Sequence, residues 1–169
     1  MIDDPVLLAR AETLVAAYAT AGLRLASAES CTGGLVAGLL TAIPGSSSVV
    51  ERGFVTYSNE AKVEMLGVSA DVIETHGAVS KSVARAMAEG ALAHSHADIA
   101  VSITGIAGPG GGSQTKPVGL VHFGLARRNT ATRHIERRYG DLDRAEIRRL
   151  AVKEALGLLE RFVMPAAGN

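Results

Sequence analysis

The sequence is short of the residues on which several classes of protein depend. It has one cysteine, Cys31, no tryptophan, and an aromatic content of only 4%. One cysteine excludes an intramolecular disulfide and a cysteine metal cluster, and so few aromatics leave few platforms on which nucleic-acid bases stack. Ala, Val, Leu and Ile must therefore build most of the core of this chain, whose 169 residues fit one domain.

An excess of charge of either sign is also absent. Seventeen basic residues balance seventeen acidic ones, and the isoelectric point is near 7.0. Without a long-range field to collect nucleic acid or an anionic membrane, we expect any anion to be bound locally. There is no apolar run long enough to span a bilayer and no leader peptide, so a cytoplasmic protein is expected. The five histidines show no metal-ligand spacing, and no metal is predicted.

Helix-like and strand-like patterns alternate along the chain and predict an α/β fold. Leu7 to Tyr18 has helical spacing, and Leu23 to Ala28 alternates as a half-buried strand would. Further strands are predicted at 49–57, 98–104, 117–126 and 130–139, the last two as a hairpin, and further helices at 35–43, 60–66, 70–75, 80–95 and from Asp141 or Asp143 to Leu159. We therefore predict a single domain, residues 1–169, in which helices cover both faces of a mixed β-sheet as a three-layer sandwich.

The stretch Ala28 to Gly34, AESCTGG, carries the strongest indication of chemistry. At a junction between strand and helix, a hydroxyl or thiol faces a cleft, and the unpaired N–H groups of the next turn point outward. We interpret Ser30 as the nucleophile of an amide hydrolase. Cys31 competes with it, because a thiolate at a helix N-terminus is the stronger nucleophile; the alternative is a small residue buried in the core.

A serine nucleophile needs a base, and the chain shows no evident triad. A lysine can act as the base when burial or cationic neighbours lower its pKa far below its usual value of about 10.4. Of the four lysines, Lys62 alone follows a predicted strand end and a polar turn, where βα loops often build sites. Lys62 is thus the candidate base, with a solvated helix lysine as the alternative. Glu29 either orients Lys62 or a backbone amide, or lies exposed.

A glycine-rich loop, Gly105 to Gly112, follows the predicted strand that ends at Thr104. Glycines let backbone N–H groups approach an anion closely, as in phosphate-binding nests, and a flexible hairpin loop is the alternative. Thr104 either donates its hydroxyl to a ligand or packs as a strand residue. Arg144 lies in the first turn of the last helix, where a cation opposes the helix dipole. Phosphate binding would explain it, as would a basic patch with Arg148 and Arg149.

Together these stretches resemble the CinA C-terminal domain, a family whose active members are nicotinamide-nucleotide amidohydrolases. The resemblance covers nearly the whole chain. It rests on AESCTGG at 28–34, IPGSS at 43–47, RGFVTYSNEAK at 52–62, LGV at 66–68, HGAVS at 76–80, and TGIAGPGGG with KPVG at 104–119. Many members also carry an N-terminal domain similar to molybdopterin-binding proteins. This chain lacks that domain and so resembles the stand-alone form.

The resemblance implies hydrolysis of the carboxamide of nicotinamide mononucleotide to nicotinate mononucleotide and ammonia, without a cofactor. It places the family's serine nucleophile on Ser30 and its lysine base on Lys62. The family's pocket tyrosine falls on Tyr57, its threonine on Thr104, and a basic residue of the last helix on Arg144. Oxyanion or substrate contacts are also expected from Cys31, Thr32, Gly33, Gly34 and Gly105.

Two other functions stay open from the sequence. One is a non-catalytic nucleotide-binding or interaction module, in keeping with the family's link to competence and recombination. The other is an amidase for another small amide. The neutral charge and few aromatics weigh against nucleic acid as a partner, and no membrane partner is expected. The predicted partner is a small-molecule nucleotide, and a homo-oligomer is expected from the resemblance and the general frequency of symmetric assemblies.

Overall fold

The computed structural model describes residues 3–163, in which five β-strands, six α-helices and a short 3₁₀ turn at Ser46–Ser48 follow one another. The strands are β1 (Leu25–Glu29), β2 (Val50–Val55), β3 (Ile99–Gly105), β4 (Leu120–Arg127) and β5 (Arg133–Arg138). The helices are α1 (Pro5–Ala21), α2 (Leu35–Thr41), α3 (Asn59–Leu66), α4 (Ala70–His76), α5 (Lys81–Ala93) and α6 (Arg144–Val163).

All five of these strands form one mixed sheet in the order β2-β1-β3-β4-β5. β1 is parallel to both of its neighbours, whereas β4 is antiparallel to β3 and β5. Helices α1, α2 and α6 pack on one face, and α3, α4 and α5 pack on the other. The predicted α/β sandwich with a mixed sheet is confirmed, and so is the hairpin of β4 and β5. Within residues 3–163, the helices are all too short or too polar to cross a membrane.

Small aliphatic side chains fill the core on both faces of the sheet, as the lack of aromatics predicts. The core around α5 is especially rich in alanine, including Ala88 and Ala91, and this lets the helices approach closely. The closest approach is at Gly90, where a Cβ atom would collide with the carbonyl oxygen of Leu66 at the end of α3. Gly90 therefore lets α5 and the end of α3 pack closely against each other.

Strand β1 is more buried than its sequence pattern predicts. The alternation from Leu23 to Ala28 is typical of a half-buried strand, but every residue of β1 is buried. The reason is that β1 lies between two parallel partners and has helices on both faces, as strands of α/β proteins do. Ser27 and Glu29 are therefore polar residues in the interior, and they need hydrogen-bond partners there.

Glu29 links the end of β1 to the start of α2. Its side chain is fully buried and accepts hydrogen bonds from the N–H groups of Gly34 (3.0 Å), Val36 (3.1 Å) and Ala37 (2.9 Å), and from the hydroxyl of Ser27 (3.2 Å). Because Gly34, the N-cap residue of α2, has no side chain to offer, Glu29 caps the helix from the strand. The alternative that Glu29 lies exposed is therefore wrong, and the prediction that it orients a backbone amide is confirmed.

Two other caps position the candidate site. The Ser58 hydroxyl accepts the N–H of Ala61 at 3.0 Å and sets the start of α3. The Asp143 carboxylate accepts the N–H of Glu146 at 2.8 Å, so Asp143 is the cap of α6. Both capping side chains can be found in the sequence, because Ser and Asp are favoured at N-caps.

We expect Glu29→Ala to destabilise the fold by at least about 3 kcal/mol, because hydrogen bonds to a charged group contribute about 1.5–3 kcal/mol each. The free energy of unfolding is measured by urea denaturation. Glu64→Ala is the matched control, since Glu64 is exposed on α3 and its loss should change stability by less than about 0.5 kcal/mol. Wild-type stability in Glu29→Ala would contradict the capping role.

Candidate active site

Ser30 lies at the carboxyl ends of three adjacent parallel strands. It follows β1 directly, and its N–H donates to the carbonyl of Ile103 in β3 at 2.9 Å. On the other side, the N–H of Thr56, just past β2, donates to the carbonyl of Glu29 at 2.9 Å. In open α/β sheets, ligands bind outside this edge. The position of Ser30 in the fold therefore suits a nucleophile.

Lys62 reaches Ser30 from α3. Its side chain is only 1% exposed, and its Nζ lies 3.2 Å from the Oγ of Ser30. The same nitrogen lies 2.8 Å from the carbonyl oxygen of Thr56 and 3.4 Å from that of Ser58. The alternative of a solvated helix lysine is wrong, and the two residues singled out in the sequence are in contact.

The surroundings of Lys62 favour the neutral amine. Burial lowers the pKa of Lys62 from its usual value, because the charged form loses its hydration. A thiolate at Cys31 would raise that pKa. Burial, however, raises the pKa of the Cys31 thiol to about 12, so the thiol stays protonated near neutral pH. A buried, protonated thiol is also a poor nucleophile, which favours Ser30 over its neighbour.

Three oxygen atoms surround the amine nitrogen of Lys62, and in the neutral form of the amine its lone pair is left for Ser30. Carbonyl oxygens only accept hydrogen bonds, so the two N–H groups of the amine serve the carbonyls of Thr56 and Ser58. The charged amine donates to Oγ of Ser30; in the neutral form its lone pair faces the Ser30 hydroxyl, which then becomes the donor. A hydroxyl that donates to a buried, neutral amine is arranged for proton transfer to a general base.

The turn after Ser30 leaves two backbone donors free. Gly33 and Gly34 have φ values of +60° and +92°, which glycine adopts without strain. Their N–H groups are occupied, since Gly33 donates to the carbonyl of Ser30 at 3.0 Å and Gly34 to Glu29. Of the four residues expected to offer N–H groups to an oxyanion, Cys31 and Thr32 are the two whose amides make no hydrogen bond among the described residues.

Arg144 connects other candidate segments at the same edge of the sheet. Its guanidinium donates to the carbonyl oxygen of Gly108 at 2.8 Å and to the hydroxyl of Tyr57 at 2.9 Å. Tyr57 is 61% exposed, so its ring is accessible at this edge of the sheet. The glycine-rich loop, Tyr57 and the start of α6 therefore converge beside Ser30.

Thr104 and Gly105 are engaged in packing. The Thr104 side chain is buried and donates its hydroxyl to the carbonyl of Ala78 at 2.8 Å. A Cβ atom at Gly105 would lie 2.9 Å from the carbonyl oxygen of Leu120, so a glycine is needed where β3 meets β4. Both contacts hold the strand end in place, and only the oxygen lone pairs of Thr104 are available to a ligand.

Arg148 is the residue near Ser30 that the sequence did not single out. Its Nε donates to the carbonyl of Cys31 at 3.1 Å, and its Nη2 donates to that of Thr32 at 2.9 Å. The spacing contained one indication, because Arg148 follows Arg144 by four residues and so lies on the same side of α6. Arg149, by contrast, pairs with Glu146 at 2.8 Å. The predicted basic patch therefore divides into different roles.

The histidines make no metal centre in the part of the chain that the structure describes, where no group of three or more His, Cys, Asp or Glu side chains is arranged to hold an ion. His122 and His134, on neighbouring strands, hydrogen-bond to each other with 2.9 Å between Nδ1 and Nε2. Burial is the main cause that lowers the pKa of both rings.

Known proteins with this sequence pattern and fold can be identified. The family model of the CinA C-terminal domain matches residues 8–163. The chain belongs to this family. A crystal structure of the competence/damage inducible protein CihA from Agrobacterium tumefaciens is 54% identical with a TM-score of 0.89, covering 90% of this chain and 93% of that one. A CinA superfamily protein from Escherichia coli is 34% identical with a TM-score of 0.88, covering 95% of this chain and 92% of that one.

Curated relatives in the CinA family are longer. A CinA-like protein of Anaeromyxobacter sp. (strain K) is 53% identical over 149 residues, which are 88% of this chain and 36% of the relative. One of Akkermansia muciniphila is 49% identical over 150 residues, with the same two shares. The chain thus spans about a third of the length of the curated relatives it matches. The names of these relatives state no reaction, so the site geometry must suggest one.

The lowered pKa of Lys62 predicts a pH dependence of stability. Between the folded pKa and the usual value of 10.5, the unfolded chain binds a proton at Lys62 that the folded protein does not, so the free energy of unfolding rises with pH. Below the pKa that Lys62 has in the folded protein, Lys62 is charged in both states, and the destabilisation caused by its burial is fully present. Lys62→Met abolishes this titration. The stability of the wild type relative to Lys62→Met should therefore increase from neutral pH toward 10.5.

Urea denaturation at a series of fixed pH values measures this difference. Lys153→Met is the control, because Lys153 is exposed on α6 and its replacement tests the loss of a surface lysine. A stability difference between wild type and Lys62→Met that stays constant over the whole pH range would show that Lys62 is not a buried amine of low pKa.

Proposed function

We propose that this CinA-family chain hydrolyses the carboxamide of nicotinamide mononucleotide to nicotinate mononucleotide and ammonia. The observation that carries the proposal is the 3.2 Å contact between the buried Nζ of Lys62 and the Oγ of Ser30. This pair supports amide hydrolysis in general, as serine and lysine dyads do. The choice of the nicotinamide nucleotide rests on the resemblance to active family members, and no cofactor takes part.

The first half of the proposed reaction forms an acyl-enzyme. Neutral Lys62 takes the proton of Ser30 as Oγ attacks the carboxamide carbon, and the carbonyl oxygen becomes an oxyanion. The free N–H groups of Cys31 and Thr32 bind that oxyanion. When the intermediate collapses, the C–N bond breaks, Lys62 returns its proton to the leaving nitrogen, and ammonia departs.

The second half hydrolyses the acyl-enzyme. Lys62, neutral again after ammonia has left, takes a proton from water as the water oxygen attacks the acyl carbon. The new oxyanion uses the same two N–H groups. Collapse breaks the bond to Ser30, whose oxygen recovers the proton from Lys62, and nicotinate mononucleotide is released. Each residue thus ends in the state in which it began.

Arg144 and the glycine-rich loop, Gly105 to Gly112, would hold the 5′-phosphate of the nucleotide. The guanidinium of Arg144 faces this loop through the carbonyl of Gly108, and Arg suits phosphate because its donors form a planar fork. The N–H groups of the glycines add donors without Cβ obstruction. The hydroxyl of Tyr57 also accepts a hydrogen bond from Arg144, and Tyr57 would line the other side of the bound nucleotide.

Ammonia release from nicotinamide mononucleotide tests the dyad. Ser30→Ala and Lys62→Met should each lower kcat by at least about a thousandfold, because neither partner acts without the other. Cys31→Ser should keep activity far above that of Ser30→Ala, which separates the two neighbouring nucleophiles. Circular dichroism checks that each variant is folded.

Normal turnover in either Ser30→Ala or Lys62→Met would rule out the dyad. Binding of the nucleotide by the wild type without any ammonia release would favour the non-catalytic module. Ammonia release from another small amide in preference to the nucleotide would show a different amidase, and a panel of amides makes that comparison.

Arg144→Gln should lower kcat/KM for nicotinamide mononucleotide by about 10- to 100-fold, as expected for a charge-assisted hydrogen bond of about 1.5–3 kcal/mol. Nicotinamide riboside, which has no phosphate, should be hydrolysed equally well by the variant and the wild type. Arg149→Gln is the matched control, because Arg149 pairs with Glu146 on the same helix. An equal loss for both substrates would contradict a phosphate contact.

A further inference from the structure

We infer that Arg148 is a positioning residue that aims the oxyanion-binding N–H groups beside Ser30. The inference rests on the proposed function only in that Ser30 is the nucleophile; it is independent of the substrate. The guanidinium of Arg148 holds two consecutive carbonyl groups, those of Cys31 (3.1 Å) and Thr32 (2.9 Å). These carbonyls belong to the turn that immediately follows the nucleophile.

The hydrogen bonds of this turn show which backbone N–H groups are free to bind an oxyanion. Between residues 31 and 37, the N–H groups that already donate are those of Gly33 to Ser30, Leu35 to Thr32, and Gly34, Val36 and Ala37 to Glu29. The N–H groups of Cys31 and Thr32 make no hydrogen bond to another residue within residues 3–163. The oxyanion that forms on the carbonyl oxygen when Ser30 attacks has these two nearby donors available.

The planarity of the peptide bond converts the contact with Arg148 into a direction for the Thr32 amide. The carbonyl of Cys31 and the N–H of Thr32 share one trans peptide plane, so they point in opposite directions. Because Arg148 on α6 binds that carbonyl, the N–H of Thr32 points away from α6. The layer on the opposite face of the sheet includes α3, from which Lys62 reaches Ser30. The donor is therefore turned toward the side of the base.

The neighbouring plane is fixed in the same way. The carbonyl of Ser30 accepts the N–H of Gly33 at 3.0 Å, and this contact orients the N–H of Cys31 that shares its plane. The Gly33 amide shares its peptide plane with the carbonyl of Thr32, which accepts from Arg148 at 2.9 Å and from the N–H of Leu35 at 3.3 Å. Arg148 thus helps to hold the peptide plane of the Gly33 amide, and through the Gly33 contact it helps to direct the N–H of Cys31.

The turn needs an anchor from outside. Gly33 and Gly34 give it backbone freedom, and the Thr32 hydroxyl is buried without a hydrogen-bond partner in the described part of the chain. The planar fork of one arginine can hold two carbonyls at once, whereas a lysine presents a single point charge. Arg148 is therefore the side chain suited to fix this segment, and it acts through Cys31 and Thr32 without touching the reacting atoms.

Arg148→Gln and Arg149→Gln form a matched pair for the test, since both remove a guanidinium from adjacent positions of α6. A displacement of donors by about 1 Å can cost a hundredfold in rate, so Arg148→Gln should lower kcat for ammonia release from nicotinamide mononucleotide by roughly 10- to 100-fold. KM should stay within about twofold, since the substrate does not contact Arg148. Arg148→Lys should lie between. Wild-type kcat in Arg148→Gln would overturn the inference.

A sulfur substrate separates positioning from general damage to the structure. Thionicotinamide mononucleotide carries a larger and weaker hydrogen-bond acceptor at the attacked carbon, so aimed N–H groups favour the oxygen substrate over it. The ratio of kcat for the amide to kcat for the thioamide should therefore fall in Arg148→Gln and stay at the wild-type value in Arg149→Gln. Equal losses for both substrates in Arg148→Gln would mean a merely structural role and would overturn the inference.

Labelling of Ser30 gives a readout that does not need the proposed substrate. With an alkyl fluorophosphonate, Oγ bonds to phosphorus, fluoride leaves, and Lys62 takes the serine proton, while the phosphoryl oxygen uses the same N–H donors. The labelling rate should fall about tenfold or more in Arg148→Gln and not in Arg149→Gln. If Arg148→Gln is labelled more slowly but the wild type does not hydrolyse nicotinamide mononucleotide, only the proposed substrate is refuted. An unchanged labelling rate in Arg148→Gln would overturn the role of Arg148 whatever the substrate.

Discussion

A buried carboxyl group at the end of β1 is the interaction on which the candidate site depends. Glu29 accepts three N–H groups from the beginning of α2, so the chain can leave the sheet in one direction only. Ser30 is the next residue, so the same contacts help to fix the position of its backbone. The same contacts occupy the amide of Gly34, and with the bond from Gly33 they leave the amides of Cys31 and Thr32 as the free donors of this turn within residues 3–163. One cap thus contributes both to the stability of the fold and to the shape of the site.

Lys62, in contrast to Glu29, lowers the stability of the fold. Taking its amine out of water disfavours the charged form, so the group proposed as the base also lowers the stability of the folded chain near neutral pH. The surrounding packing compensates for this cost. Ser58 sets the first turn of α3, and Gly90 lets α5 press against the end of that helix. Functional residues commonly carry such a cost, which the rest of the fold must offset.

Sequence patterns predicted the elements well and the surroundings of single side chains less well. Apolar periodicity, the serine and aspartate caps and the glycine turns are local, and the helices, strands and hairpin agree with them. The alternation of polar and apolar residues in β1 predicts a half-buried strand, which is wrong, because the polar residues Ser27 and Glu29 form their hydrogen bonds in the interior. The sequence groups Arg148 with Arg144 and Arg149 for a related reason: adjacent helical residues face in different directions, and only the packing of α6 shows which one faces the turn after Ser30.

By itself, the sequence determined the α/β architecture, the family, and a short set of reactive residues, because these follow from local patterns and from stretches of residues in a fixed order. Only the tertiary structure decided how those residues meet. Lys62 and Ser30 are 32 positions apart, and Arg148 is 117 positions from Cys31. Whether a lysine is solvated or buried depends on which distant elements pack around it, and this burial decides whether its amine can act as a base.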